Sequence, residues 1–598
     1  MSLDIARSIA FSGMMATQVQ ISVASANISN ADTKGYTEKT ANQTTSVTAG
    51  VGTGVVVTGI TSNVDKLLLK SLIGATADLG SADTANNYLN QLQALFGSTT
   101  SAASSSTGTS LANTLASLES AVSALAATPS STSLQSNVVS ALDAVASQLR
   151  DTSSGIQKLR GNADQDISSS VSDVNQQLQL IASLNSQIKQ ATATNQPTGD
   201  LEDQRNTALQ DISSKMNVSY FTASNGDLQV YTTTGQALVD SSAHTLSYTP
   251  AGNVTAATTY SATPPSGFSG ITVNGVDITS QITSGNIGAL INLRDNILPA
   301  SQSQLDQLAN QLSASLNAVH NQGTAVPPPS SLTGTATLSL TTPLSSMTGT
   351  VRLAVTNSQG VLGSYTDLDL STVTGSPPTV NDLINAINSK TSTSGVAASL
   401  DGNGHLVLKS TTSGDGVAIN EMTSSLGSGS QGFSDYFGLN DLVTGTGASN
   451  FAVNSNILNN SGLLAVSTLD ASATLTAGSS VLSPSSATVS NALYSALTGS
   501  TSFSAAGGLG ASTGSFTDYA AAIVSSAASK ASQASATYTA KDTAQSTFAN
   551  ALSSQSGVNL DQETANLSSL QNKYTAASEL IQVIEQMFTA LTSAIQAG

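Results

Sequence analysis

Residues 510 to 514 read Gly-Ala-Ser-Thr-Gly, the Gly-x-Ser-x-Gly spacing in which a sharp turn can present a serine for nucleophilic attack. A hydrolase built on Ser512 needs a histidine later in the chain to take the serine proton. The last histidine is His405, so the order fails, and a turn in a Gly/Ser-rich loop accounts for the motif. His244, His320 and His405 stand far apart, without the paired histidine or carboxylate spacing of a metal set. His320 reads as a residue near the end of a helix. Asp401 to His405, "DGNGH", lacks the further ligands of a calcium loop and suits a hairpin turn. "GVGTG" from residue 50 opens no helix with a phosphate-binding lysine. The expectation is a protein with no catalytic, cofactor-binding or metal residues, and not an enzyme.

Composition points the same way. Charged residues make up 9% of 598 positions, against roughly a quarter in typical soluble chains. Ser, Thr, Ala, Asn, Gln and 47 glycines fill the gap, and aromatics are 4%. Surfaces that are polar but uncharged can pack against copies of themselves without stripping water from many charges. The net charge of −18, with no Lys/Arg cluster, excludes a nucleic-acid partner, because phosphate binding needs concentrated positive charge. The chain has no cysteine, so disulfides and thiolate metal sites are impossible. The start lacks the basic and apolar regions of a secretory signal, and no apolar run is long enough to span a bilayer. No membrane insertion is expected.

The residues worth placing are therefore those that pack. Residues 3 to 30 read as a helix with Ile5, Ile9, Ser12, Ala16, Val19, Val23 and Ala26 on one stripe and Met14, Ile21 and Ile28 on another. An element apolar on two sides expects neighbours on two sides. "NISNADTKGYT", from Asn27, ends it in a polar turn, and 51 to 62 follow as a strand. From 64 to 215 helical patterns dominate, with rod-like stripes through Val138–Leu159 and Ile167–Ile188. Residues after Met216 turn to short alternating runs around Asn225-Gly226, a hairpin signal. Helix returns at 287 to 319, "GTAVPPPSSLTGT" reads as a linker, 330 to 460 as mainly β with one helix, and 515 onward as helix.

The end of the chain carries the most regular pattern. Leu567, Leu570, Tyr574, Ala577, Ile581, Ile584, Phe588, Leu591 and Ile595 alternate steps of three and four, a coiled-coil seam. Leu580, Val583 and Met587 form a second row beside it. Both termini therefore expect additional covered faces, supplied when neighbouring subunits surround them. The fold class is mainly α with β-rich insertions: terminal coiled-coil helices, an elongated helical-bundle rod and two inserted β-rich domains. The expected divisions are 1–36 with 556–598 as a terminal coiled-coil assembly domain, and 37–215, 284–322 and 515–555 as the helical rod. Residues 216–283 and 325–514 are the first and second β-rich insertions.

Both ends carry a resemblance. Asn27, Ile28, Asn30, Thr33, Gly35 and Tyr36 match the turn that closes the first helix of bacterial flagellar axial proteins, and "SGVNLDQETANL" from Ser556 resembles the stretch that opens their last helix. "DLEDQRNTALQDISSKMNVSYF" with "GQALVD", and the helix through Arg294, Leu305, Asp306, Leu308, Ala309, Asn317 and His320, resemble the hook-associated protein 1 family. Asn206 and Ala289 depart from it, where Asp and Gly are common. Residues 379 to 410 resemble a small module of flagellins and their associated proteins, and 425 to 515 match more loosely.

The resemblance implies a ring of copies of this chain at the hook–filament junction, needed for filament assembly. It implies hook protein and a second junction protein as partners, with an export chaperone and the flagellar type III apparatus. The implied location is extracellular, reached without a cleaved signal peptide. Ile5, Ile9, Val19, Val23, Asn27, Asn30, Gly35, Tyr36 and the seam residues Leu567, Leu570, Tyr574, Ile581, Ile584, Phe588, Leu591 and Ile595 are the expected assembly residues. The alternatives are a hook or rod component of the same axial class, or a secreted adhesin or hydrolase.

Overall fold

The computed structural model describes residues 3–48, 50–97, 108–263 and 265–596. Residues 1–2 and 597–598 of the expected terminal domain, and 98–107 of the expected helical stretch, lie outside these. Helix α1 runs Leu3–Asn30, and its polar turn leads into a long hairpin, β1 (Lys39–Thr48) with β2 (Val51–Ser62). Four helices follow: α2 (Lys66–Phe96), α3 (Leu111–Ala127), α4 (Thr132–Ala193) and α5 (Gly199–Lys215). Strands β3 (Ser219–Thr222), β4 (Leu228–Tyr231) and β5 (Ala237–Val239) make one antiparallel sheet; β6 (Leu246–Ser247), β7 (Thr272–Val273) and β8 (Val276–Asp277) make another.

Helix α6 (Gly285–Asn292) continues through a π-turn at Leu293–Ile297 into α7 (Leu298–His320). Next come β9 (Ser331–Thr333), β10 (Thr350–Thr356), β11 (Leu362–Asp369), α8 (Val380–Ser389), β12 (Val396–Leu400), β13 (Leu406–Ser410) and β14 (Gly416–Asn420). Helix α9 (Thr488–Thr498), β15 (Thr501–Phe503) and β16 (Ser512–Gly514) precede the two final helices, α10 (Phe516–Ser556) and α11 (Leu560–Gln596). Helix dominates, and among the described residues no sheet exceeds three strands.

Two compact units divide the chain. One holds 1–88, 160–295 and 532–598; the other holds 89–159 and 296–531. In the first, the stripe Ile167, Val171, Val174, Leu178, Ile181 and Ile188 of α4 is fully buried. Asn185, which interrupts that stripe, is buried too, and its amide pairs with both backbone groups of Leu228 at 2.9 and 3.0 Å. A polar residue in an apolar seam is tolerated because each of its atoms is hydrogen-bonded.

In the second unit, β10 sits between β11 and β14, and β13 between β12 and β9. Their inner faces close with α8 on one core of Val351, Leu353, Leu383, Ile387, Leu408 and Phe437. Helix α8 starts at Thr379 with a reciprocal capping box to Asp382. Two readings change here. The proline stretch from Gly323 is no free linker: Thr324 and Ala325 are buried, and Thr324 N–H donates to Ser467 O at 2.7 Å. Prolines lack N–H but keep carbonyls, and Pro329 O accepts from Val417 N at 2.8 Å before β9 joins β13. "GASTG" is likewise no bare turn, since Ser512–Gly514 pairs antiparallel with Thr501–Phe503.

Candidate assembly interface

Helices α1 and α11 pack along each other within the first unit. The end of α1 meets the start of α11 at Asn27 and Glu563, so the two run antiparallel. On α1 the buried positions include Ala10, Thr17 and Ala24, one heptad apart, with Ala16, Val23 and Asn27 beside them. Leu570 and Ile584 of the seam are buried; Leu567, Ile581 and Phe588 are half-buried; Tyr574, Leu591 and Ile595 are exposed. Ile5, Ile9 and Val19 are half-buried and Val23 is buried.

The other face of α1 meets β2. Ser12 Oγ accepts from Val55 N at 3.2 Å, and a Cβ added to Gly54 would lie 2.0 Å from that oxygen. Only a glycine lets strand and helix approach so closely. One apolar row stays open. Leu580, Val583 and Met587 are 51%, 50% and 52% exposed, and Phe11 and Met15 on α1 are also exposed.

The turn after α1 is a joint of three chain segments. Asn27 Oδ1 accepts from Lys39 N at 3.0 Å and from the Tyr36 hydroxyl at 3.0 Å, while Nδ2 donates to Lys39 O at 2.9 Å and to Glu563 Oε1 at 3.4 Å. Thr37 donates to Asp203 through its N–H at 2.9 Å and through its hydroxyl at 2.8 Å. The buried Lys39 ammonium pairs with Asp203, donates to Thr37 O at 2.9 Å and lies 4.2 Å above the Tyr36 ring. Glu38 N–H reaches Ser556 O at 2.8 Å. Asn30 holds the last turn of α1 through Ala26 O at 2.9 Å.

Gly35 has φ +79, and a Cβ there would lie 2.5 Å from Thr207 Oγ1 on α5. Burial pushes the Tyr36 phenol up to about 12, helped by the nearby negative charges of Asp200, Asp203 and Glu563. It stays a donor to Asn27. Burial also raises the Asp203 carboxyl, opposed by the bonds from Lys39 and Thr37.

Sequence reading found Asn27, Gly35 and Tyr36 but not Lys39, Thr37, Asp203 or Glu563. The signal was faint: Asp203 lies inside the quoted Asp-Gln-Arg helix, but its partner Lys39 is 164 positions away. Arg205 of the same helix faces the first β insertion, with Nη1 donating to Asn185 Oδ1 and Gly226 O, each at 2.9 Å. Arg294, fully buried in the π-turn, chelates Asp295 at 2.8 Å and reaches Asp164 Oδ1 at 2.9 Å. Burial disfavours its charge, but these carboxylates outweigh that and hold its pKa raised. Its guanidinium stacks 4.4 Å from the Phe268 ring. These arginines fasten the 216–283 segment to α4 and α6.

The histidines are accounted for locally. His320 is fully buried, with Nδ1 at 2.5 Å from Asn440 O and Nε2 accepting from Ala465 N at 2.8 Å. Both ring nitrogens are occupied by backbone, which fixes the neutral Nδ1–H tautomer. His244 pairs with Asp240 at 3.0 Å and His405 with Asp401 at 3.2 Å, the second inside the β12–β13 hairpin. Among the described residues no group of three or more His, Cys, Asp or Glu is placed to hold a metal, and no helix is long and apolar enough to cross a membrane.

Residues 90–334 match the family described as flagellar hook-associated protein FlgK helical domain. Residues 8–37 match a flagella basal body rod protein family, 359–412 the flagellin hook IN motif, and 550–594 the flagellar basal body rod FlgEFG protein C-terminal family. Over its helical middle the chain is similar to the FlgK family of flagellar hook-associated proteins. Flagellar hook-associated protein 1 of Salmonella typhimurium is 23% identical over 323 residues, 52% of this chain and 56% of the relative; that of Salmonella typhi matches equally. The match thus spans about half the length of these curated relatives. The flagellar hook junction protein FlgK from Burkholderia pseudomallei is 18% identical, with a TM-score of 0.48 over 80% of this chain and 98% of that one. The two terminal family matches fall on α1 and α11, and the helical-domain match runs from the end of α2 to β9.

Proposed function

We propose that this protein is a structural subunit of the hook–filament junction, where copies form a ring through their terminal helices. The observation that carries this reading is the open apolar row Leu580, Val583 and Met587 on a helix already paired through its other face with α1. Half-exposed side chains of this size gain about 1 kcal/mol each when covered. Repeated around a ring, that supports assembly through neighbouring copies. Leu591 and Ile595, exposed at the end of the seam, extend the same surface.

The partners follow from this reading: hook protein on one side, a second junction protein on the other. Export through the flagellar type III apparatus with a chaperone would deliver the chain to the outside of the cell without a cleaved signal peptide. The role is packing, not catalysis. Cells lacking the gene test it by electron microscopy and an assay of the medium for filament protein. Hooks without filaments, with flagellin released, support the junction. Missing hooks favour the alternative of a hook or rod component, which the rod-type matches at both ends keep in view. Intact filaments overturn both.

A further inference from the structure

Glu563, in the first turn of α11, is 5% exposed. Its Oε1 takes the Asn27 amide at 3.4 Å, whereas Oε2 is buried with no donor. A buried carboxylate oxygen left without a donor is destabilising. It borders a polar cavity of about 140 Å³ whose wall also includes Asn27, Glu38, Lys39 and Lys573. Glu38 is held at this wall by its own N–H on Ser556 O, so Glu38 and the buried Oε2 of Glu563 border the same cavity.

Two carboxylates can only accept. A bond between them needs a proton. The cations nearby do not supply the missing donor: Lys39 is committed to Asp203 and Thr37, with Asp200 at 3.6 Å, and the exposed Lys573 makes no bond to Glu563. Asp200 and Asp203 add negative charge behind Tyr36.

We propose that Glu38 carries a proton that it donates toward the orphan Oε2 of Glu563, and that this proton latches the first turns of α11 to the start of β1. The root of the paired terminal helices then tightens in acid and loosens when the proton leaves. Burial, followed by the charge and bond of Glu563, raises the Glu38 carboxyl above its usual range. A group raised on folding stabilises fully below its unfolded pKa and loses that contribution as pH rises through the folded value. The latch is therefore closed in the ordinary carboxylate range and opens above it. It goes beyond the junction role and does not depend on it.

Hydrogen exchange of the full chain, expressed as protection relative to intrinsic rates, reads this directly at residues 561–570. Protection there should fall on the order of tenfold between about pH 5 and about pH 8, beyond any change in α5. Glu38→Gln offers Glu563 a permanent N–H and should stay protected at both values. Glu563→Gln, with its donor reversed toward Glu38, should do the same, which keeps the test decisive if one variant folds poorly. Flat protection in the wild type, or an unchanged pH dependence in both variants, overturns the latch.

Discussion

The side chain of Asn27 pairs with the backbone of Lys39 in both directions, accepting its N–H at 3.0 Å and donating to its carbonyl at 2.9 Å. It acts as a peptide group supplied by a helix, so the end of α1 and the start of β1 are fixed to one another before any neighbour is involved. Asn27 is 1% exposed. The polar turn that ends α1 is thus the buried hub of a joint.

Replacing Asn27 with Ala should remove these bonds and strand two backbone groups, the Tyr36 hydroxyl and Glu563. We expect a loss on the order of 2–3 kcal/mol in the first unit, with faster exchange in α1 and little change around β10. Chemical denaturation combined with peptide-resolved exchange checks it. Equal loosening of both units would refute a local joint.

Gly35 is constrained twice, by φ +79 and by Thr207 Oγ1, which would lie 2.5 Å from an added Cβ. Gly35→Ala should cost about 1–2 kcal/mol for the left-handed backbone plus a clash. Thr207→Ala in the same chain should recover the clash and leave the backbone part. Thermal melts of the two single variants and the double give the coupling; additivity would show that the contact is not felt.

Two substitutions on α11 should separate folding from assembly. Ile584 is buried, so Ile584→Asp places an unpaired charge at the α1 contact and should release the terminal helices while the second unit stays folded. Met587→Asp, on the open row, should leave the free protein within about 0.5 kcal/mol of wild type. Both should block incorporation into flagella, scored by motility and microscopy. Normal incorporation of Met587→Asp would remove the open row from the proposed interface.

Burial lowers the His320 pKa to about 4, against the bond to Asn440 that favours its charge. A basic group depressed on folding costs nothing above its unfolded pKa, and the stability is lost as pH falls toward the folded value. The window runs from about 6.5 to about 4 and spans on the order of 3 kcal/mol. The carboxyls of Asp441 and Glu421 are raised by burial in the same unit and work in the opposite sense. The informative quantity is therefore the difference in pH dependence between wild type and His320→Gln. His320→Gln should flatten the acid limb of the unfolding curve; an unaltered limb would refute the buried neutral imidazole.

What the sequence determined by itself is everything with a short period. Leu3–Asn30, Val51–Ser62 and the helices from Phe516 onward follow from three-four or alternating spacing, and the hairpins at Asn225-Gly226 and Asp401–His405 follow from turn chemistry. Those patterns survive because each reports the period of its own element, whichever faces are later covered. The tertiary structure decided which face. Along α1 the fully buried set is Ala10, Ala16, Thr17, Val23, Ala24 and Asn27, rotated from the expected row because α11 and β2 share the helix. It also decided the partners of buried polar groups. Lys39 with Asp203, Arg294 with Asp164 and Asn27 with Glu563 join residues more than a hundred positions apart. No periodicity encodes such pairs, since a buried charge needs only some opposite charge or donor, and the fold alone says which one arrives.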